Sequence, residues 1–175
     1  MNESDGPRER HLRFARQLVG DGFTFARMES GQQSDVEALV RENIHGVGST
    51  WTMPEGDGCA VALAQDGTIA GCLVMGLGQV GDDFLAIIQH LVVDPEFRGR
   101  GIGTVLLGIA PQLVRQFNGG ATAHWLGQCE ESMRSFYAAA GFTALQPDEP
   151  ISLPFAKGLV GNGNPEYNCW FYSQR

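Results

Sequence analysis

The segment Val92-Val-Asp-Pro-Glu-Phe-Arg-Gly-Arg-Gly-Ile-Gly103 joins a predicted strand to a predicted helix. Its glycines lack a Cβ atom, so the backbone can approach a ligand closely. Free amides at a helix start, together with the helix dipole, favour a pyrophosphate group. Arg98 and Arg100 can add charge-assisted hydrogen bonds to phosphate oxygens. The segment therefore predicts a phosphate-binding turn.

Other phosphate-binding motifs fit this segment poorly. A Walker A loop needs Gly-Lys-Ser/Thr, and the only lysine of the chain is Lys157. A dinucleotide-binding fingerprint needs a third glycine where Thr104 stands. A glycine-rich turn with exposed arginines and no ligand is the structural alternative.

The elements around this turn alternate between strands and helices. Phe84–Val93 is apolar on both faces, which predicts a central strand. Gly101–Phe117 has apolar residues at helical spacing, and Pro111 within it predicts a kink or an early end. A further strand is predicted over Ala121–Leu126 and a further helix over Glu130–Ala140.

The half of the chain before this turn predicts strands joined by hairpins. Phe23–Met28 predicts a first strand, and Ser34 with Glu37 has the form of a capping box at the start of a helix. Asp66-Gly67 lies between two apolar runs, which indicates a two-residue hairpin turn. The paired strands are predicted over Cys59–Gln65 and Thr68–Leu77.

The last segments complete the prediction of an α/β (mixed α+β) fold. Phe142–Leu145 and Tyr167–Tyr172 predict two closing strands, and Asp148–Pro165 predicts an irregular loop. Early hairpins and later helical crossovers together predict a mixed sheet with helices on both faces. One domain over 1–175 is the simplest account, with 1–22 as an N-terminal extension that we expect to be helical.

Charge and hydropathy exclude several classes of function. The net charge of −8 argues against a general nucleic-acid binder and is compatible with a cationic acceptor. No apolar run has membrane-spanning length and no secretory signal is evident, so we expect a cytoplasmic protein. The four cysteines lack zinc-motif spacing, which predicts buried reduced thiols and no metal site.

Two motifs give the chain a resemblance to the GNAT superfamily of N-acetyltransferases. Arg98-Gly-Arg-Gly101-Ile-Gly103 matches the acetyl-CoA signature Gln/Arg-x-x-Gly-x-Gly/Ala. Tyr137-Ala-Ala-Ala-Gly141-Phe142 matches the tyrosine that precedes Gly-Phe by four residues on the next helix. The resemblance covers roughly Cys59–Leu145.

The resemblance implies an enzyme that transfers an acetyl group from acetyl-CoA directly to a primary amine of a small-molecule or peptide acceptor. It implies a mostly antiparallel sheet of six to seven strands, with a splay between the fourth and fifth strands for the pantetheine arm. Tyr137 would protonate the departing thiolate, and a homodimer is compatible with the family. The implied cofactor-binding residues are Leu91 and Val93 by their backbone, with Arg98, Gly99, Arg100, Gly101, Ile102 and Gly103 at the pyrophosphate.

The general base has three candidates. A histidine has a pKa suited to accepting a proton from an amine, and His90 on the fourth strand is the first candidate. Strand alternation puts Gln89 on the face of Leu91 and Val93, and His90 on the other face, unless a bulge intervenes. His124 and a chain of water molecules are the other two candidates.

One departure from the family pattern concerns the pantetheine arm. Many relatives have asparagine seven residues before the tyrosine, where this chain has Glu130. Glu130 could face a cationic acceptor or favour a helix N-terminus, and Cys129 could in principle take the acyl group itself. A non-catalytic acyl-CoA binding or sensing domain is therefore the alternative function. The segments expected to shape the acceptor pocket are Ile44–Gly58 and Asp148–Pro165.

Overall fold

Helices and strands alternate along the chain in the computed structural model, which describes residues 6–152 and 165–174. The helices within these ranges are α1 (Pro7–Gly20), α2 (Gln33–Asn43), α3 (Ile102–Arg115) and α4 (Arg134–Ala139). The strands are β1 (Thr24–Arg27), β2 (Gly58–Leu63), β3 (Ile69–Val80), β4 (Asp83–Val93), β5 (Ala123–Cys129), β6 (Thr143–Ala144) and β7 (Cys169–Gln174).

All seven strands belong to one sheet, in the order β1-β2-β3-β4-β5-β7-β6. The pair β4–β5 is parallel and the other five pairs are antiparallel. The strand that is apolar on both faces, β4, lies at the centre of this order, and α3 forms the crossover that a parallel neighbour requires. The predicted mixed, mostly antiparallel sheet is confirmed.

Helices cover both faces of the sheet, as predicted. Along β2, Ala60 and Ala62 belong to one apolar cluster, which includes buried residues of α3. Cys59 and Val61 belong to a second cluster, which includes Val36 and other buried residues of α2. Alternate side chains of a strand point to opposite faces, so α3 and α2 pack on opposite sides of β2.

The turn between β2 and β3 has three residues instead of the predicted two. The amide of Ala64 donates to the carbonyl of Thr68, and the amide of Gly67 donates to the carbonyl of Ala64. Gly67 has φ +87°, whereas Asp66 is not in the left-handed region. This is the three-residue arrangement with a left-handed glycine at its end. Asp66 stabilises it by accepting a 3.0 Å hydrogen bond from the Thr68 amide.

The predicted capping box at Ser34 is wrong. The helix α2 begins at Gln33, so Ser34 is already inside it, and no side chain caps the helix start. Glu37 accepts hydrogen bonds from the Gln33 side chain at 2.9 Å and from the Met53 amide at 3.1 Å. Glu37 therefore ties the long segment after α2 back to the helix.

Of the kink or early end predicted at Pro111, the early end is wrong, because α3 continues to Arg115. Buried Ala110 and Val114 hold its last turn against the sheet, which offsets the backbone hydrogen bond that proline removes. Phe117 lies beyond the helix and is 47% exposed. Within the described ranges, no helix is long and apolar enough to cross a membrane.

The boundaries near β5 differ from the predicted ones. The strand runs three residues further than expected, to Cys129. The expected helix from Glu130 begins as a single 3-10 turn over Glu131–Met133, and α4 follows it. Cys129 and the other three cysteines are buried free thiols, as predicted.

Candidate active site

The parallel pairing between β4 and β5 stops partway along both strands. It ends at Ile88 opposite Gly127, although β4 continues to Val93 and β5 to Cys129. The predicted splay between the fourth and fifth strands is therefore present. The β5-facing edge of residues 89–93 has no strand partner within the described part of the chain. Apart from the Val93 carbonyl, which accepts a hydrogen bond from Arg98, the backbone groups of this edge are available to a ligand.

A β-bulge lies where this separation begins. His90 and Ile88 pair with consecutive residues of β3, so Gln89 is an extra residue in β4. A bulge bends its strand and re-aims the side chains around it. The bulge therefore sets the direction in which the last residues of β4 leave the sheet.

The bulge changes which side chains share a face. His90 pairs with Val74 of β3, and Gly76 lies two residues after Val74. Gly76 is therefore on the same face of the sheet as Val74 and His90. The Gln89 amide nitrogen would lie 2.8 Å from a Cβ atom on Gly76, so Gln89 shares the face of His90. Strand alternation therefore predicted the wrong face for Gln89. His90 is on the face predicted for it, the one opposite to Leu91 and Val93, which pack against the cluster that includes α3.

The glycine-rich turn forms one wall of a cleft of about 550 Å³, which we call the loop cleft. Gly99 and Gly101 have φ of +78° and +92°, and α3 begins at the next residue, Ile102. The first helical amides have no partner within a helix and can bind an anion. A Cβ atom on Gly103 would lie 3.3 Å from the Phe136 ring, so glycine allows this ring to pack closely against the first turn of α3.

The side chains of the two arginines in the glycine-rich turn contact other residues of the protein. The Arg98 side chain donates to the Val93 carbonyl at 2.9 Å and to the Asn43 side chain at 3.0 Å. The Arg100 guanidinium lies 5.7 Å from the Phe97 ring centroid. Of the two, only Arg98 lines the loop cleft in the described part of the chain. Phosphate binding by both arginine side chains therefore stays a prediction.

A second cavity, of about 620 Å³, lies on the α2 face of the sheet beside the gap between β4 and β5; we call it the strand cavity. Its walls include Leu85, Ile87 and Leu126 from the paired part of the two strands. Gln89 and His90 line it next to the bulge. Most of this surface is apolar, so it suits a partly apolar molecule.

Two segments distant in sequence close the outer side of the strand cavity. His45 follows α2 and Tyr167 precedes β7, and the Tyr167 hydroxyl donates to the His45 carbonyl at 3.2 Å. The predicted acceptor segment Ile44–Gly58 contributes its first four residues to the lining. Most of the other predicted segment, Asp148–Pro165, lies outside the described residues, and Tyr167 and Trp170 line the cavity after it.

The loop cleft and the strand cavity share a rim. Six residues line both of them: Asn43, Ile44, Leu91, Glu130, Met133 and Tyr137. The rim is where β4 and β5 have separated. A ligand in the loop cleft and a second molecule in the strand cavity would therefore meet beside these residues.

Tyr137 is held at this rim by aromatic contacts. Its ring stacks on Phe171 with centroids 3.7 Å apart, and the edges of Phe136 and Phe142 contact it at 5.2 Å and 6.0 Å. Only 6% of Tyr137 is exposed. Burial raises the pKa of its hydroxyl well above the ordinary value of 10.0, so the phenol stays protonated and can act as a proton donor.

His90 lies within the strand cavity and His124 does not line it. The ring of His90 packs edge to face on Trp51 at 5.0 Å, and Arg41 holds Trp51 through a 2.8 Å hydrogen bond to its carbonyl. Desolvation lowers the pKa of His90 below 6.5, so the imidazole is neutral at pH 7. His124 lies 3.0 Å from the Asp83 carboxylate.

Glu130, which departs from the family pattern, and its neighbour Cys129 both lie at the site. Glu130 is the carboxylate on the shared rim, and the Ser132 hydroxyl donates to it at 3.2 Å. Cys129 lines the strand cavity. Burial raises the pKa of the Cys129 thiol to about 12, so it is protonated at neutral pH and poorly suited to take an acyl group.

Sequence reasoning missed the contribution of α1. Arg10 and Phe14 line the loop cleft, and a Cβ atom on Gly101 would overlap the Phe14 ring. Their spacing of four residues puts both side chains on one side of a helix. That spacing was a usable signal, but no local pattern indicates that this side of α1 lies against the glycine-rich turn.

The sequence comparisons cover the central part of the chain. The profile of the acetyltransferase (GNAT) domain matches residues 55–144, more than half of the chain. An uncharacterized N-acetyltransferase from Methanocaldococcus jannaschii is 36% identical over 58 residues. This match covers 33% of the chain and 26% of that relative, so it spans about a quarter of the relative's length.

Solved structures match over a larger part of the chain. Aminoglycoside 6′-N-acetyltransferase complexed with coenzyme A has a TM-score of 0.61 and 16% identity, covering 86% of this chain and 96% of that one. An acetyltransferase of the GNAT family from Staphylococcus aureus Mu50 has a TM-score of 0.59 and 14% identity, covering 87% and 98%. At such low identities the likeness establishes the fold alone.

Proposed function

Since the chain belongs to the GNAT acetyltransferase family, we propose that it transfers an acetyl group from acetyl-CoA by direct attack of a primary amine of a small-molecule or peptide acceptor. The observation that carries this proposal is the shared rim at Tyr137, where the loop cleft and the strand cavity meet. An amine in one cavity can reach a thioester that enters from the other.

The loop cleft is suited to coenzyme A. Backbone amides from Arg98 to Gly103 at the start of α3 would bind the pyrophosphate, because anions are favoured at a helix N-terminus. The unpaired edge of β4 offers the backbone groups of Leu91 and the amide of Val93 to the pantetheine arm, which would add to the sheet as a short strand does.

Two neutral side chains would move the protons of the reaction. Acetyl-CoA supplies a carbonyl carbon that the thioester activates toward an amine. His90 accepts the proton that the amine nitrogen loses as the carbon–nitrogen bond forms. Tyr137 donates its proton to the sulfur as the carbon–sulfur bond breaks, so that the products are an amide and free coenzyme A.

The strand cavity would bind the acceptor. Glu130 places a carboxylate on the rim, where it attracts an amine in its cationic form. The cationic amine would release one proton to solvent before it attacks as the neutral amine, and His90 would take the second proton. The apolar side chains of Leu85, Ile87 and Trp170 line the same cavity. We therefore propose an acceptor whose amine lies next to an apolar or aromatic group.

Calorimetric titration with acetyl-CoA tests this proposal, with NAD as a control ligand and thiol release as the assay of turnover. We expect saturable binding of acetyl-CoA, no binding of NAD, and thiol release that depends on an added primary amine. Binding without turnover across a broad set of amines would favour a non-catalytic acyl-CoA binding domain. Absence of binding by the folded protein would contradict both functions.

Replacing His90 by Asn is expected to lower kcat/KM about tenfold above pH 7, because water can accept the amine proton in its place. A base must be unprotonated, and desolvation lowers the pKa of His90 below 6.5. In the wild type, protonation of His90 should therefore add a limb to the pH profile of kcat/KM below pH 6.5, separate from the limb at higher pH that protonation of the acceptor amine causes. The pH profile of thiol release measures this change, and the variant should lack the acidic limb that His90 causes.

His124→Asn is the matched control for this measurement. His124 lies beside Asp83 and outside the lining of the strand cavity, so its variant should keep the wild-type pH profile. If the acidic limb disappears in His124→Asn and persists in His90→Asn, His90 is not the base.

A further inference from the structure

The N-terminal helix α1 is packed closely on α3. Leu18 is fully buried in the cluster that includes α3. A Cβ atom on Gly101 would overlap the Phe14 ring, and one on Gly108 would overlap the His11 ring. These two glycines lie seven residues apart, or about two helical turns. They allow α1 to lie against the start of α3, so its position relative to the glycine-rich turn is fixed by packing.

This packing brings a positive charge to the loop cleft. Arg10 lies one helical turn before Phe14, is half-buried and lines the cleft with Gly101. Its guanidinium carbon lies 5.9 Å from the Phe14 ring centroid. Within residues 6–152 and 165–174, the Arg10 side chain makes no hydrogen bond or ion pair, so its guanidinium donors are available to a ligand.

The cleft has few other side chains that could neutralise phosphate. Its charged lining residues in the described ranges are Arg10, Arg98 and Glu130. Two nitrogens of Arg98 are already bonded to Val93 and Asn43. Glu130 adds a negative charge, and the whole chain has a net charge of −8. A cation in the cleft is therefore needed to offset repulsion of a polyanionic ligand.

We propose that Arg10 binds a phosphate group of coenzyme A, so that α1 forms part of the cofactor site. The inference rests on the proposed use of acetyl-CoA and adds a residue from outside the glycine-rich turn. An arginine can bind two phosphate oxygens at once, and the Phe14 ring restricts the positions that the Arg10 side chain can take. The helix α1 would then act as a wall that holds the phosphate end of the cofactor against the start of α3.

Calorimetric titration of Arg10→Ala with coenzyme A tests the inference, and Arg16→Ala is the matched control. Arg16 is an exposed arginine on the same helix that does not line the loop cleft, so both variants lose one positive charge. We expect affinity to fall about tenfold in Arg10→Ala and less than twofold in Arg16→Ala. The affinity of Arg10→Ala should also depend less on salt concentration, because one phosphate contact is lost.

Further measurements separate a phosphate contact from a packing effect. Arg10→Lys should recover part of the affinity and of the salt dependence, because it keeps the charge. Dephospho-coenzyme A separates the 3′-phosphate from the pyrophosphate: a loss of affinity seen with both ligands assigns Arg10 to the pyrophosphate, and a loss seen only with coenzyme A assigns it to the 3′-phosphate.

Wild-type affinity in Arg10→Ala, or equal losses in both alanine variants, would overturn the inference alone. If the folded wild type binds no coenzyme A, the proposed function fails and the inference fails with it.

Discussion

Replacing Tyr137 by Phe is expected to lower kcat about a hundredfold and to leave the affinity for coenzyme A within about twofold. The magnitude is typical of losing a positioned proton donor. The Phe ring can keep the stack on Phe171 and the edge contacts of Phe136 and Phe142, so the rim should keep its shape. Thiol release at saturating substrates gives kcat, and calorimetry gives the affinity.

Tyr167→Phe is the control for loss of a hydroxyl in the same cavity. Tyr167 lines the strand cavity and donates to the His45 carbonyl, so its variant should raise the KM of the acceptor and leave kcat nearly unchanged. Equal kcat in Tyr137→Phe and the wild type would remove Tyr137 from the mechanism. A parallel loss of coenzyme A affinity would mean that Tyr137 binds the cofactor instead.

Burial keeps the proposed acid and base neutral. It raises the pKa of Tyr137 and lowers that of His90, since desolvation disfavours the charged form of each. It also keeps the thiol of Cys129 protonated, which favours direct attack over an acyl-cysteine route. The site therefore separates two tasks: neutral groups at the rim move protons, while backbone amides and Arg10 would face the phosphates.

The parts of the fold that the sequence predicted depend on local patterns. The apolar run of β4 predicted a central strand, and the glycines before Ile102 predicted a helix start where the backbone is open. Both are determined by residues within about a dozen positions of one another. For the same reason the order of strands and helices could be predicted. The splay between β4 and β5 was instead implied by the family resemblance.

The parts that the sequence did not predict depend on distant contacts. Arg98 and Arg100 look alike in the sequence, but Asn43 and Phe97 decide where their side chains lie. The β-bulge at Gln89 depends on how β4 pairs with β3, a strand that is distant from Gln89 in sequence. Serine is a common N-cap residue, yet the helix α2 begins before Ser34. Local propensity does not determine such outcomes, because tertiary packing overrides it.

Gly101→Val is expected to weaken coenzyme A binding at least a hundredfold, which is about 2.7 kcal/mol. Gly101 has φ +92°, a backbone conformation that a β-branched residue rarely adopts. The new side chain would also overlap the Phe14 ring, so the turn or α1 must move. Either movement disturbs the amides that would bind the pyrophosphate. Calorimetric titration measures the affinity, and thermal unfolding measures the accompanying loss of stability.

Gly67→Val separates backbone strain from damage to the loop cleft. Gly67 has φ +87° in the β2–β3 turn, and a Cβ atom there would have no heavy atom within 4 Å. Its variant should lose about 1–2 kcal/mol of stability from the left-handed backbone and keep its affinity for coenzyme A. If Gly101→Val does not fold, the same comparison can be made with a smaller side chain, between Gly101→Ala and Gly67→Ala. Wild-type affinity in a folded Gly101 variant would contradict the proposed phosphate loop, because the close approach that requires glycine would then serve only the packing of α1.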